Sequence, residues 1–398
     1  MGPVVPEGQP DRPADAHRLE RSRHCSQETH VRDPRYEALA KVLVNYSVGV
    51  EKNDLVAIQT HPVAAPLTRE IYRECLKAGA HPFTRCSVPG LTEIFFKDAK
   101  KYQLRYVNPI TREELELIDK VISLWADENT KELANVDPER QRERAKATAP
   151  LMKRWNEREA AEELKWVGTQ FPTNASAQDA EMSLDEYEDF VLKACLVHRK
   201  DPIAAWKGVH RRQARICRRL DKTRKVRVVT KDTDISMEVE GRKWVNCDGS
   251  ANMPDGEIFT GPVENSVEGK IAFSFPAFYY GREAEGVQLT FRKGKVVKAY
   301  ASKNQEFLEA MLNTDDGARR VGEFAIGTNY AVQQFTRNTL FDEKIGGTIH
   351  MAVGASIPES GGVNESGVHW DMVTDMRDGG KIYADGKIVY KDGQFKID

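Results

Sequence analysis

Strands alternate with helices in the first half of this chain, hairpins follow one another in the second, and one kind of sheet does not hold both patterns. From Asp33 the segment DPRYEALAKVLVNYSVGV sets Tyr36, Leu39, Ala40, Val42, Leu43 and Tyr46 near one face of a helix. DLVAIQT then reads as a short buried strand, and APLTREIYRECLKAGA as a second helix ending at Gly79. HPFTRCSVPG is a strand and turn, and IDKVISLWADEN a third strand. Strand, helix and strand at this spacing imply a parallel sheet. A charged helix over PERQRERAKATAPLMKRWNEREAAEELKW and another opened by Ser183 and its acids complete this half. After Lys225 the segments VRVVT, DISMEVEG, KWVNCDG, GKIAFSF, GVQLTFRKGKVVKAYAS, GGTIHMAVG and KIYADGKIVYKDGQF read as strands. KGK, DGK and DGQ mark hairpin turns, and one helix is expected near NQEFLEAMLN. The expected fold is a two-domain α/β and α+β chain. An N-terminal α/β domain with a mostly parallel sheet covers 33–210, and a C-terminal, antiparallel, β-rich domain covers 211–398.

Residues 1–32 stand apart: polar, rich in proline and arginine, and holding His17, His24 and His30. They offer too little apolar surface to fold, so a disordered tail is expected. A formal net charge of -2 argues against nucleic acid or an anionic membrane as partner. The basic stretch KGVHRRQARICRRLDKTRK is read as a solvated helix between the domains; it has no aromatic interleaving for nucleic acid. None of the six cysteines forms a CxxC pair, which disfavours a zinc knuckle. Scattered cysteines in a long chain fit free thiols of a reducing cytosol. With no run of about 18 apolar residues and no apolar signal segment, a cytoplasmic protein is expected.

Residues able to carry chemistry gather in the second half. After His210 only His350 and His369 remain among the histidines. GGTIH puts His350 near the end of a strand, and VHWD puts His369 and Asp371 at i and i+2, on one face of a strand. One imidazole beside one carboxylate suits a metal ion. Alone, such a pair is a weak signal, because a histidine on an apolar strand is more often a satisfied core residue. Glu257 follows the sharp turn MPDGE, and Glu323 in VGEFAIGTN is flanked by Val321, Phe324, Ala325 and Ile326. A carboxylate there is costly unless it is paired or bound to metal, so each glutamate alone also suits a salt bridge. Together the five residues can hold two divalent ions with one carboxylate bridging.

The segments PDGEIFTGP, GEFAIGTN, EKIGGTIHMAVG and SGVHWDM, in that order, resemble the signature segments of the M29 metallopeptidases, the thermophilic aminopeptidase family. The likeness runs from about Tyr36 to Phe395 and is dense from Val245 onward. The resemblance implies an N-terminal α/β domain, a C-terminal β-rich domain carrying the active site, and a homodimer whose sites face an internal cavity. It also implies two divalent metal ions per chain (zinc, cobalt or manganese), held by Glu257, Glu323, His350, His369 and Asp371. The activity implied is removal of N-terminal residues from peptides. The ligand set itself suggests the mechanism, water activated by the metals with Glu323 taking the proton and passing it to the leaving amine.

One position departs from that pattern. The family carries a tyrosine seven residues after the first of these histidines, in a segment SYPE; this chain has SIPE, with Ile357 there. A tyrosine hydroxyl would donate to a developing oxyanion, and isoleucine has no donor. Either another group such as Tyr330 supplies it, or the chemistry has changed. The changed forms are a peptide binder without turnover or a ring-cleaving iron dioxygenase. Dioxygenases of dihydroxypyridines resemble this family and use a His/His/Asp set, here His350, His369 and Asp371. Retention of both glutamates favours two metals over one iron. The pairs Gly346–Gly347 and Gly361–Gly362 fit no phosphate-loop pattern, and no GxSxG occurs.

Overall fold

In the computed structural model, which describes residues 2, 32–279 and 281–396, the parallel sheet comes from four strands of the first half. They are β1 (Leu55–Thr60), β2 (His81–Cys86), β3 (Lys120–Trp125) and β4 (Lys165–Gln170), in the order β2-β1-β3-β4. Val56, Ala57 and Ile58 are all buried on β1, as a parallel sheet covered on both faces requires. Helix α1 (Pro34–Val42) starts at Asp33, whose carboxylate accepts the Arg35 backbone N–H at 2.8 Å. Helix α2 (Ala65–Ala78) ends at Gly79 in the left-handed region, φ 83°. Helix α3 (Leu184–Ala194) opens with a Ser183/Glu186 capping box. The basic helix α4 (Pro202–Leu220) begins five residues before the stretch expected from Lys207. The tail expected over 1–32 lies, save Gly2 and Arg32, outside the described residues.

Six short strands of the second half concern the site: β5 (Val245–Cys247), β6 (Asn252–Met253), β7 (Glu257–Thr260), β8 (Val321–Gly327), β9 (Thr348–Gly354) and β10 (His369–Asp375). Five of them form an antiparallel sheet in the order β10-β9-β8-β7-β5. Strand β6 instead adds a fifth parallel strand beside β4, pairing Gly168 with Asn252 and Thr169 with Met253. An eight-stranded antiparallel sheet runs, in spatial order, through Lys295–Tyr300, Gln288–Arg292, Glu268–Ala272, Asp234–Glu238, Lys225–Val229, Lys381–Ala384, Lys387–Lys391 and Gln394–Phe395. Its hairpins turn where expected: Lys293–Gly294, Asp385–Gly386 and Asp392–Gly393 each place two successive residues at positive φ.

The main core fills the space between the two antiparallel sheets. Val226, Val228, Ile235 and Met237 from one meet Phe324, Ile326, Ile349, Met351, Trp370 and Met372 from the other. Because side chains alternate along a strand, β8, β9 and β10 turn every second residue away from this core. That opposite face carries the site.

Candidate metal centre

On the face turned from the core stand Glu257 on β7, Glu323 on β8, His350 on β9, and His369 and Asp371 on β10. Each has a small residue across the ladder. Glu257 pairs with Gly327, Glu323 with Ala352, His350 with Ala325, Asp371 with Ala352 and His369 with Gly354. Five long polar side chains opposite alanine and glycine leave room over the sheet for their ends to converge.

Those ends do converge. Glu323 lies between the imidazoles, Oε1 at 3.4 Å from His350 Nε2 and Oε2 at 3.3 Å from His369 Nε2. Glu257 Oε2 is 3.3 Å from His350 Nε2, and Asp371 Oδ2 is 3.5 Å from His369 Nε2. His369 Nδ1 is 2.8 Å from the Ala355 carbonyl, so the N–H belongs on Nδ1 and Nε2 is left to act as a ligand. The site opens to solvent at His369, whose side chain is 32% exposed, whereas that of His350 is 1% exposed.

The donors fit divalent cations. Glu257 Oε2, His350 Nε2 and Asp371 Oδ1 are buried without a hydrogen-bond partner, an unusual cost in a native interior. Among the described residues three groups have ligand atoms mutually within 4.8 Å: Glu257, Glu343 and His350; Glu323, His369 and Asp371; and, adjoining them through Glu257, Cys247, Asp255 and Glu257. The electrostatics agree. Burial raises Glu257 above the usual carboxylate range, and burial together with the Glu343 charge pushes Asp371 up to about 8. Burial would lower His350, but the Glu257 carboxylate lifts it to about 9; burial likewise opposes His369, which Asp371 and Glu323 lift to about 10. Burial would raise Glu323, yet the two imidazoles hold it at about 2. More carboxylates converge here than the local cations neutralise, and carboxylate and imidazole donors of this kind suit zinc and similar divalent ions.

Two residues of the centre, and one beside it, escaped the sequence reading. Glu343 and Lys344 follow the short helix α5 (Thr339–Asp342), and Lys344 Nζ donates to Glu257 Oε1 at 2.6 Å and to Glu343 Oε2 at 2.8 Å. In sequence the run DEK ahead of two glycines looks like a solvated turn, and nothing marks it as buried. Tyr279 stands beside the centre, on the core side: its hydroxyl oxygen accepts the His369 backbone N–H at 3.4 Å, and its ring lies 5.7 Å from that of Trp370. Tyr330, the substitute donor named above, points elsewhere, its hydroxyl donating to the Gly393 carbonyl at 2.9 Å. Ile357 packs on the ligand face against Val245, Phe259 and Ala325.

Residues 32–395 match the family described as thermophilic metalloprotease (M29). Aminopeptidase 2 of Geobacillus stearothermophilus is 29% identical over 395 residues, covering 89% of this chain and 94% of that protein. The solved structure of wild-type AmpT from Thermus thermophilus superposes with a TM-score of 0.80 at 23% identity, covering 92% of this chain and 99% of that one. A 2,5-dihydroxypyridine dioxygenase from Pseudomonas putida shares the fold more distantly, with a TM-score of 0.58 at 15% identity over 91% of this chain and 97% of that one. Among the described residues no helix is long and apolar enough to cross a membrane.

Proposed function

The chain belongs to the M29 thermophilic metalloproteases and is therefore a peptidase, a hydrolase, and from that premise we propose that it removes N-terminal residues from peptides with two divalent cations, zinc, cobalt or manganese. The observation that carries the two-cation reading is the doubled donor set about Glu323: Glu257 and His350 on one side, His369 and Asp371 on the other. When bound, such ions polarise a scissile carbonyl and lower the pKa of a water.

The chain's own residues divide the remaining work. Glu323 faces an imidazole with each oxygen, which favours a shared ligand over the proton acceptor expected from the ligand set. Glu343 suits that second task. Lys344 fixes one of its oxygens, its side chain is 16% exposed, and its other oxygen is left to take a proton from water and deliver it to the leaving amine. The buried wall of Val245, Phe259 and Ala325 excludes water beside the ligands. We extend the proposal to a cytoplasmic homodimer, supported by the family likeness and by the free thiols of Cys75, Cys195 and Cys217. A monomer mass in light scattering would overturn the dimer.

The test is hydrolysis of leucine p-nitroanilide by metal-stripped protein after cobalt, zinc or manganese is restored, with His369→Ala as the control. Turnover that returns with metal in the wild type alone is the expected result. Full activity in His369→Ala sinks the site assignment. About one iron per chain, in place of two zinc-like ions, would favour the dioxygenase reading.

A further inference from the structure

Fixing one oxygen of Glu343 does not need a fully buried cation, yet Lys344 stands inside the acidic cluster with its side chain 1% exposed. Its ammonium is committed to Glu257 and Glu343. Asp255, whose charge also faces it, is satisfied separately, accepting the backbone N–H groups of Gly249 at 2.9 Å and Gly256 at 3.0 Å. Cys247 is the other titratable group turned toward it. Among the described residues, no arginine and no other lysine is ion-paired with the five ligands or with Glu343.

A buried ammonium is a poor neighbour for a metal site, because it repels the ions the site collects. Its presence therefore needs a reason. Charge supplies one. Glu257, Glu323, Glu343 and Asp371 bring four negative charges to a space of a few ångströms. Buried without partners, such groups are strongly destabilising. Whatever the neighbouring Asp255 adds, Lys344 leaves the centre one unit less negative than its carboxylates alone would make it. Loaded with the same two divalent cations, the centre is one unit more positive with the lysine than without it, and that unit favours a further anion.

We infer that Lys344 is a built-in counter-cation: it holds Glu257 and Glu343 together before metal arrives, and it makes the loaded centre one unit more positive than its carboxylates and cations alone would. The lysine thus trades cation affinity for anion binding, and it is a positioning residue, acting through Glu257 and Glu343. The inference rests on the two-cation reading above, but it fails separately from it.

The experiment is a titration of metal-stripped protein with Co²⁺, followed by visible absorbance and metal analysis, on wild type, Lys344→Gln and Lys344→Arg. Wild type that takes up no cobalt defeats the two-cation reading itself. Given uptake, Lys344→Gln should bind cobalt about tenfold or more tighter, as expected for a unit charge removed at this range from a partly screened interior. Its kcat on leucine p-nitroanilide should fall while cation affinity rises. Lys344→Arg should restore both toward wild type. Unchanged or weaker binding in Lys344→Gln overturns the inference. If Lys344→Gln folds only with cation present, loss of cobalt to a competing chelator is timed instead. Release slower by a similar factor supports the inference, and release at the wild-type rate overturns it.

Discussion

At the scale of single residues, the sharpest question is who donates to the oxyanion when Ile357 stands in place of a tyrosine. Ile357 sits on the ligand face, against Val245, Phe259 and Ala325, so the position is at the site and its chemistry is what has changed. A phenol that touches a ligand strand is that of Tyr279, whose hydroxyl meets the His369 backbone N–H while its ring packs on Trp370, on the core side of the strand. Tyr279→Phe removes only the hydroxyl and keeps the ring on Trp370. We expect it to lower kcat on the order of 10²-fold, the effect of losing one oxyanion donor, with KM little changed. Adding Ile357→Tyr should recover much of that loss, since it places a hydroxyl on the ligand face. Steady-state kinetics of the single and double variants decide this. An unaltered kcat in Tyr279→Phe would remove Tyr279 from the catalytic step.

At the scale of elements, the centre is a consequence of strand period. Large apolar residues occupy one set of alternate positions on β8, β9 and β10, and the other set carries the ligands, small residues and Val373. Ala352 faces Glu323 across one ladder and Asp371 across the next. Ala352→Leu keeps every ligand but fills the volume between two of them. It should cut bound cobalt to about one ion per chain or fewer, at an overpacking cost of about 1–3 kcal/mol, read by metal analysis and urea melts. Retention of two ions would show that the cations do not sit over Ala352. The same periodicity explains what was legible in the sequence. His369 and Asp371 at i and i+2, and Glu323 amid apolar neighbours, declare a polar spot on a buried strand. Glu343 and Lys344 do not, because they enter from a loop after a four-residue helix, where charges are ordinarily solvated. Strand β6 was also illegible: two residues carry no period, and only pairing with β4 makes them a strand.

For the whole molecule, the question is how far the centre holds the fold together. The ligands come from four strands spread between Glu257 and Asp371, and residues 33–398 form one compact unit. Three residues separate β6, at the edge of the parallel sheet, from β7, which carries Glu257. Local loosening of the centre is therefore transmitted to both sheets. Cations that bind only the folded chain stabilise it by mass action, by roughly 4 kcal/mol at a thousandfold excess over Kd. Stripping them also exposes the charge imbalance seen in the raised Glu257 and Asp371 carboxyls. Chelation should thus lower the melting temperature by several degrees. Because β6 ties the ligand strands to the parallel sheet, the change should come as one shifted transition in calorimetry rather than a second, earlier one. Asp371→Asn, which keeps the shape but weakens a ligand, should melt close to the stripped protein and gain little from added cobalt. A wild type that melts at one temperature with and without its metal, with removal checked by metal analysis, would show that the sandwich core alone carries the stability and that the ions serve only the reaction.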